Sequence, residues 1–274
     1  MTYIEQLAQF ELKTIQFDGV KQSYREAGQG PNLVILHGIS SGSGSWIKQL
    51  QDLSQHFHVI AWDAPGYGES DPLQTDQPHA TDYAKRLKDM LDALNLRNIV
   101  LVGHSLGALQ AAAFASLYPE VLNALVLANL AQGYKGFDAE KQKEVFEKRP
   151  KMLKELGASG MAKSRGPHLV AHATADALQL IESVMQKISL IGFTQASYLL
   201  AYDSIQSYLI PEQHATHVVM GMSDGITPAS DIQILAQDFQ LKHCYEIEDA
   251  GHLSYLDQAT QFNQILLSLN TAKM

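Results

Sequence analysis

Residues 98–119, NIVLVGHSLGALQAAAFASLYP, decide how the chain folds. The segment starts with an apolar run, turns at Gly103-His104-Ser105-Leu106-Gly107, and continues as an alanine-rich helix that ends before Pro119. A strand, a sharp turn and a helix are the context of a G-x-S-x-G nucleophile elbow. Glycine neighbours permit a tight turn, and the N-terminus of the helix favours a developing anion. We therefore predict that Ser105 is a nucleophile.

Other short apolar runs alternate with helical patterns on both sides of this segment. Runs that are apolar on both faces predict buried strands, at residues 32–38, 58–63, 122–130, 216–224 and 244–249. Helices are predicted at residues 45–55, 80–96, 106–118, 229–239 and 256–269. Because strands and helices alternate, we predict an α/β fold with a mostly parallel sheet. Two alternating segments around Asp18-Gly19 predict an antiparallel hairpin at its edge.

The alternation is interrupted over residues 132–213. This stretch has no buried-strand pattern and predicts helices at residues 139–156, 173–191 and 194–202. An insertion after a parallel strand lies near the carboxyl ends of the strands, where such sheets bind ligands. We predict a helical cap at 132–213 over a catalytic core formed by 1–131 and 214–274. A separate helical domain without influence on the site is the alternative.

A serine nucleophile needs a base and a group that orients the base. His252 follows the last predicted strand, and Asp224 follows the strand before it. We assign His252 as the base and Asp224 as its orienting acid. Asp249 and Asp231 are nearby rivals for Asp224, but Asp249 is predicted to end a strand and Asp231 to lie in a helix. Position 129, another place for an acid, is Asn.

A glycine- and serine-rich loop, His37-Gly38-Ile39-Ser40-Ser41-Gly42-Ser43-Gly44-Ser45-Trp46, follows the strand at 32–36. Such a loop can turn its backbone amides toward a ligand, as stabilisation of a tetrahedral oxyanion requires. We predict the amides of Ile39 and Leu106 as the donors. His104 points away from Ser105 in a strand-like turn, so we expect it to pack or hydrogen-bond beneath the elbow.

Together these motifs resemble the α/β-hydrolase fold family over residues 11–270. The matching motifs are His37-Gly38, Asp63-Ala64-Pro65-Gly66-Tyr67-Gly68-Glu69-Ser70, Gly103-His104-Ser105-Leu106-Gly107, Asp224 with Pro228, and Gly251-His252. The resemblance implies an eight-stranded sheet, a helical cap after the sixth strand, an acyl-enzyme on serine, and neither a metal nor an organic cofactor.

Ser105 separates the chain from haloalkane dehalogenases and epoxide hydrolases, which use aspartate at the elbow. The Ser-Gly-Ser-Gly-Ser-Trp loop and the cap are similar to enol-lactone hydrolases and to the carbon-carbon hydrolases of aromatic-ring degradation. Those families usually carry Ser-Met-Gly-Gly, where this chain has Ser105-Leu106-Gly107-Ala108. The leading hypothesis is hydrolysis of small carboxylic esters. Enol-lactone or carbon-carbon hydrolysis, a cofactor-free perhydrolase, and a non-catalytic ligand-binding protein are the alternatives.

Specificity depends on side chains that are distant in sequence. The candidate substrate-binding residues are Gly38, Trp46, His104, Tyr134, Met161, Arg165 and Leu253. Arg149 and Arg165 can clamp a carboxylate if they face Ser105, but we expect both on the solvated surface of the cap.

Charge and composition restrict the partners. The net charge of -9 provides no general basic surface for nucleic acid or anionic membranes. Cys244 is the one cysteine of the chain, so we expect neither an intramolecular disulfide nor a cysteine-rich metal site. The helically spaced pair His168 and His172 lacks the glutamate of a zinc protease motif, so we do not expect it to bind a metal. The N-terminal residues have no signal-peptide pattern, so we predict a cytoplasmic protein that acts on a small molecule. A homodimer through the cap or the last strand stays open.

Overall fold

One eight-stranded sheet forms the centre of the protein, whose computed structural model describes residues 1–210 and 213–270. The strands are β1 (Lys13–Phe17), β2 (Val20–Ala27), β3 (Asn32–Leu36), β4 (His58–Trp62), β5 (Ile99–His104), β6 (Leu122–Ala128), β7 (Thr216–Gly221) and β8 (His243–Ile247). Their order across the sheet is β1-β2-β4-β3-β5-β6-β7-β8.

The two N-terminal strands pair antiparallel with their neighbours, and the other six strands pair with one another in parallel. Strand β1 pairs with β2 around Asp18 and Gly19, whose φ angles of 48° and 76° suit a tight hairpin turn. Strand β2 is also antiparallel to β4, whereas β4, β3, β5, β6, β7 and β8 pair in parallel. The predicted fold class, a mostly parallel α/β sheet with an antiparallel edge, is confirmed.

Helices flank the sheet and cover its central strands. They are α1 (Tyr3–Leu7), α2 (Ile47–Asp52), α3 (Ala80–Ala93), α4 (Leu106–Leu117), α5 (Ala139–Arg165), α6 (Ala175–Met185), α7 (Leu190–Tyr202), α8 (Ala229–Asp238), α9 (Ser254–Asp257) and α10 (Ala259–Asn270). Helix α4 packs on β5 and α3 and is buried over most of its length, as its mostly apolar sequence requires. Leu33, Val34 and Ile35 of β3 are fully buried, so this strand faces the core on both sides.

Helices α5, α6 and α7 form the cap between β6 and β7. The predicted helix 139–156 is right as far as Gly157, whose φ of 66° and ψ of 175° interrupt α5 before it continues to Arg165. The predicted helix 173–191 is wrong at its end, because α6 stops at Met185 and Ser189 caps the start of α7. The Ser189 hydroxyl accepts a hydrogen bond from the amide of Gly192 at 3.0 Å.

Hydrogen bonds join the cap to the core at several separate places. The amide of Gly68 donates to the carbonyl of Lys187 at 3.0 Å, and the amide of Leu253 donates to the carbonyl of Leu169 at 2.8 Å. The cap therefore lies directly on the core. The boundary predicted after residue 213 follows residues 211 and 212, which are outside the described part of the chain, as are residues 271–274. None of the described helices is long and apolar enough to cross a membrane.

Candidate active site

Ser105 occupies a strained turn between β5 and α4. Its φ of 54° and ψ of -118° are unusual for a residue with a side chain. A Cβ on Gly103 would lie 2.3 Å from the carbonyl oxygen of Gly107, and a Cβ on Gly107 would lie 2.6 Å from that of Leu36. The two glycines of the motif are thus required by close packing of strand, turn and helix. The turn places Ser105 at the carboxyl end of the sheet.

Asp224 and His252 meet at the same end of the sheet, although 28 positions separate them. Asp224 lies in the loop after β7, and His252 lies between β8 and α9. The Nδ1 atom of His252 donates to Oδ2 of Asp224 at 2.8 Å, and both side chains are buried. With the proton of a neutral imidazole held at Nδ1, the lone pair is on Nε2, as a base requires.

The carboxylate of Asp224 accepts hydrogen bonds at both oxygens. Oδ1 accepts from the amides of Ile226 and Thr227 at 2.7 and 3.1 Å. Oδ2 accepts from the hydroxyl of Thr227 at 2.7 Å and from Nδ2 of Asn129 at 2.8 Å, besides His252. Burial raises the pKa of Asp224, but the hydrogen bonds from His252 and Thr227 hold it well below its usual range. Asp224 is therefore ionised at neutral pH.

Asn129 and Thr227 are site residues that the sequence analysis missed. Asn129 is fully buried in a left-handed conformation with φ 43°. Its amide donates to Asp224, and its Oδ1 accepts from the hydroxyl of Ser254 at 2.5 Å. The position directly after β6 was identified as one from which an acid can reach the histidine. That position is the available clue to Asn129, which supports the acid in the next loop.

His104 supports the loop that carries His252. Its Nε2 donates to the carbonyl oxygen of His252 at 2.8 Å. Burial, together with the nearby charge of His252, lowers the pKa of His104 to about 3, so this imidazole is neutral at physiological pH. The expected hydrogen-bonding position beneath the elbow agrees with this contact.

A cavity of about 610 Å³ opens above these residues, within the usual range of about 300–1,000 Å³ for small-molecule sites. Ser105 and His252 both line it. Among the described residues, the hydroxyl of Ser105 has no hydrogen-bond partner. Such bonds in an unliganded site are often long and shorten when substrate binds.

Ile39 and Leu106, the residues whose backbone amides were predicted as oxyanion donors, both line the same cavity. Neither of the two backbone amides donates to another group in the described part of the chain. The loop that carries Ile39 is fixed from below, since the hydroxyl of Tyr67 donates to the Ile39 carbonyl at 2.7 Å. His37 fixes Gly38, the residue before Ile39, because its Nδ1 donates to the Gly38 carbonyl at 2.8 Å. Nε2 of His37 accepts from the Ala64 amide at 2.9 Å. Two unpaired amides on rigid supports can receive an oxyanion.

The structure brings five of the seven candidate substrate-binding residues to the cavity wall: Gly38, His104, Tyr134, Arg165 and Leu253. It places the other two elsewhere. Trp46 is fully buried and stacks on Tyr255 with 3.8 Å between ring centroids, so it belongs to the core. Met161 is fully buried within the cap. An apolar side chain in a loop or helix has the same sequence pattern whether it faces a core or a pocket.

The expectation that Arg149 and Arg165 lie on the solvated surface is wrong. Both are half-buried and both line the cavity. The break of α5 at Gly157 redirects the helix between them. The sequence pattern ends the first cap helix at residue 156, but the φ and ψ angles of Gly157 could not be derived from that pattern.

The rival acids lie elsewhere. Both Oδ atoms of Asp249 are 2.9 Å from Nε2 of His172, and the pair is exposed. Asp231 is exposed on α8 at the cavity rim. In the residues that the structure describes, no group of three or more His, Cys, Asp or Glu is arranged to hold a metal ion.

The elbow, the strand order and the inserted helices define the architecture of an α/β hydrolase. The chain belongs to the α/β hydrolase fold family, which its sequence matches over residues 31–259.

Similar proteins within this architecture differ in their reactions. A thermophilic esterase from Thermogutta terrifontis, solved with malate bound, has a TM-score of 0.82 at 22% identity and covers 95% of this chain and 100% of its own. The enol-lactonase from Burkholderia xenovorans has a TM-score of 0.79 at 20% identity and covers 94% and 100%. The (E)-2-((N-methylformamido)methylene)succinate hydrolase of Acinetobacter baylyi is 31% identical over 118 residues, 43% of this chain and 44% of that protein. Among the curated relatives that match, the matched part spans 33% to 44% of their own length.

Proposed function

We propose that the protein is a serine hydrolase that cleaves carboxylic esters of small molecules through an acyl-enzyme. The observation that carries this proposal is the buried Asp224–His252 pair, whose histidine lines the same cavity as Ser105. A carboxylate that orients an imidazole next to a serine is the constellation of nucleophilic acyl transfer.

In the proposed reaction, Oγ of Ser105 attacks the ester carbonyl carbon while Nε2 of His252 takes the hydroxyl proton. The carbonyl oxygen becomes an oxyanion and accepts hydrogen bonds from the amides of Ile39 and Leu106. When the tetrahedral intermediate collapses, the ester C–O bond breaks and His252 gives its proton to the departing alcohol. The acyl group is then attached to Ser105.

A water molecule completes the cycle. His252 takes a proton from water as the water oxygen attacks the acyl carbon, and it returns that proton to Oγ of Ser105 as the acid leaves. Asp224 stays ionised throughout and stabilises the imidazolium that forms in each half-reaction. The five hydrogen bonds to its two oxygens keep it in place.

The first experiment compares wild type with Ser105→Ala in the hydrolysis of p-nitrophenyl acetate and butyrate. We expect kcat/KM to fall by about 10⁴-fold or more in the variant. Ser116→Ala is a matched control on α4, the helix that follows Ser105, because the Ser116 hydroxyl donates only to the carbonyl of Ala113, at 3.0 Å. Turnover that does not depend on Ser105 would refute the mechanism.

A second experiment tests the type of bond that is cleaved. Short-chain esters, enol lactones and vinylogous diketones are compared by kcat/KM on the same protein. A preference for the esters supports the proposal. A preference of more than about 100-fold for a diketone or an enol lactone would replace ester hydrolysis by that reaction.

A further inference from the structure

Two arginines of the cap lie on the wall of the cavity that Ser105 lines. Arg149 and Arg165 both belong to α5, where 16 positions separate them. On an uninterrupted helix they would lie about 24 Å apart along the axis. The break at Gly157 instead lets both line one cavity, and their charges interact there. The conformation of the cap thus brings two positive groups to the same site.

Neither guanidinium has an acceptor within the described residues. The Nε atoms of Arg149 and Arg165 are inaccessible to solvent and make no hydrogen bond, and neither side chain forms an ion pair. The other three arginines of the chain all have acceptors. Arg25 donates to the carbonyl of Phe10, Arg86 donates to two carbonyls, and Arg97 pairs with a carboxylate at 2.7 Å. The two cavity arginines therefore differ from the rest in lacking an anionic or polar partner.

Unpaired cations in a partly buried site are unfavourable. Burial, followed by the positive charge of Arg165, lowers the pKa of Arg149 to about 10. The carboxylates on the cavity wall belong to Asp231 and Asp238, and both are exposed side chains of α8. An anion between the guanidiniums would offset the cost of burying them. Carboxylate is the anion whose two oxygens match the planar donor geometry of arginine.

Arg149 is also near the group that fixes the Ile39 loop. Burial raises the pKa of Tyr67, and the charge of Arg149 opposes that rise. The hydroxyl of Tyr67 donates to the carbonyl of Ile39. Arg149 and Ile39 also line the same cavity. A carboxylate bound there would be part of a small molecule whose ester group extends to Ser105.

We propose that Arg149 and Arg165 form a carboxylate-binding site, and that the substrate is an ester that carries a free carboxylate, such as a monoester of a dicarboxylic acid. This inference rests on the proposed ester hydrolysis at Ser105. It assigns a specificity role to two cap residues and explains how a chain with a net charge of -9 can bind an anionic substrate.

The test compares monoethyl glutarate with ethyl pentanoate, which has a methyl group in place of the free carboxylate. Ester hydrolysis is followed by pH-stat titration. We expect wild type to prefer the monoester by about 10- to 100-fold in kcat/KM, the range for hydrogen bonds to charged groups. Arg149→Met and Arg165→Met should each reduce that preference by at least about tenfold, mainly through a higher KM for the monoester.

Lys163→Met is the matched control, because it removes one positive charge from an exposed position of the same helix outside the cavity wall. Its activity on both esters should equal that of wild type. Equal activity of wild type on both esters, or an unchanged preference in both arginine variants, would overturn the inference. If wild type cleaves ethyl pentanoate through Ser105 without preferring the monoester, the carboxylate site fails while the proposed function stands. If it cleaves neither ester, the proposed function fails.

A binding measurement covers the case in which an arginine variant does not fold. Glutarate should inhibit wild-type hydrolysis of ethyl pentanoate competitively, and pentanoate should inhibit at least about tenfold more weakly. Pentanoate has one carboxylate, which cannot occupy the arginine site and the amides beside Ser105 at the same time. Equal inhibition by the two acids would contradict the proposal.

Discussion

Replacing Asp224 by Asn changes one atom and tests the orientation of the proposed base. Oδ1 of Asp224 accepts from two rigid backbone amides, those of Ile226 and Thr227. An asparagine would keep its one oxygen there and turn its NH₂ group toward His252. Nδ1 of the imidazole then has to accept, so the ring proton moves to Nε2. In that tautomer the ring cannot take a proton from Ser105.

The size of the effect follows from losing the base while the rest of the site remains. In a serine triad, this change lowers kcat by about 10⁴-fold, or about 5 kcal/mol in the activation free energy. The substitution also leaves one N–H of the Asn129 amide without its 2.8 Å acceptor, while Nδ2 keeps only its 3.3 Å bond to the carbonyl of Gly251. A buried donor without a partner costs about 1–3 kcal/mol of folding stability. We therefore expect a folded protein with a lower Tm and almost no turnover.

The assay measures kcat/KM for p-nitrophenyl acetate and the free energy of unfolding in urea for the same preparations. Asp249→Asn is the matched control, because Asp249 contacts His172 on the surface and is outside the cavity wall. Asparagine also tolerates the positive φ of 55° at that position. If Asp224→Asn is folded and retains more than about 1% of wild-type activity, Asp224 does not orient the base.

Two further predictions concern the supports of the site. Gly103→Ala should lower the free energy of unfolding by about 3 kcal/mol or prevent folding, because the new Cβ would lie 2.3 Å from the carbonyl oxygen of Gly107. Gly136→Ala is the control, since nothing lies within 4 Å of a Cβ there. Its free energy of unfolding in urea should be close to that of wild type. Burial lowers the pKa of His104 to about 3, so between this value and the unfolded pKa of about 6.5 only the unfolded chain binds the proton. The stability from this group is complete above about pH 6.5 and falls by up to about 1.4 kcal/mol per pH unit below it. Urea unfolding of wild type and His104→Gln should be measured between about pH 7 and pH 5. The free energy of unfolding should depend less steeply on pH in the variant, and an equal pH dependence would contradict this assignment.

Local patterns predicted the elements that position Ser105, Asp224 and His252. A run apolar on both faces predicts a buried strand, and parallel strands bring the loops at their carboxyl ends to one edge of the sheet. The contacts among those loops were not predictable in the same way. Asn129 was noted as a neutral residue in an acid's position, but its hydrogen bond to Asp224 depends on the relative placement of two loops.

The cap was the least predictable part, for a related reason. Its helices follow from periodicity, but the direction of α5 after Gly157 depends on two backbone angles and on packing against α6 and α7. That direction decides whether Arg149 and Arg165 face water or the cavity. Trp46 was predicted to line the pocket but lies in the core. Nothing in the loop sequence distinguishes a side chain stacked on Tyr255 from one that lines a pocket.

The carboxylate of Asp257 has a consequence for exchanging parts between related proteins. Its Oδ2 accepts from the amide of Ala171 in the cap at 2.9 Å and from the amide of Gly251, next to His252, at 2.8 Å. A foreign insertion grafted between β6 and β7 would have to supply a backbone donor at the same point, or the loop beside the histidine would lose part of its anchorage. Chimeras of this protein should therefore be designed with residues 169–171 and 251–257 taken from the same parent.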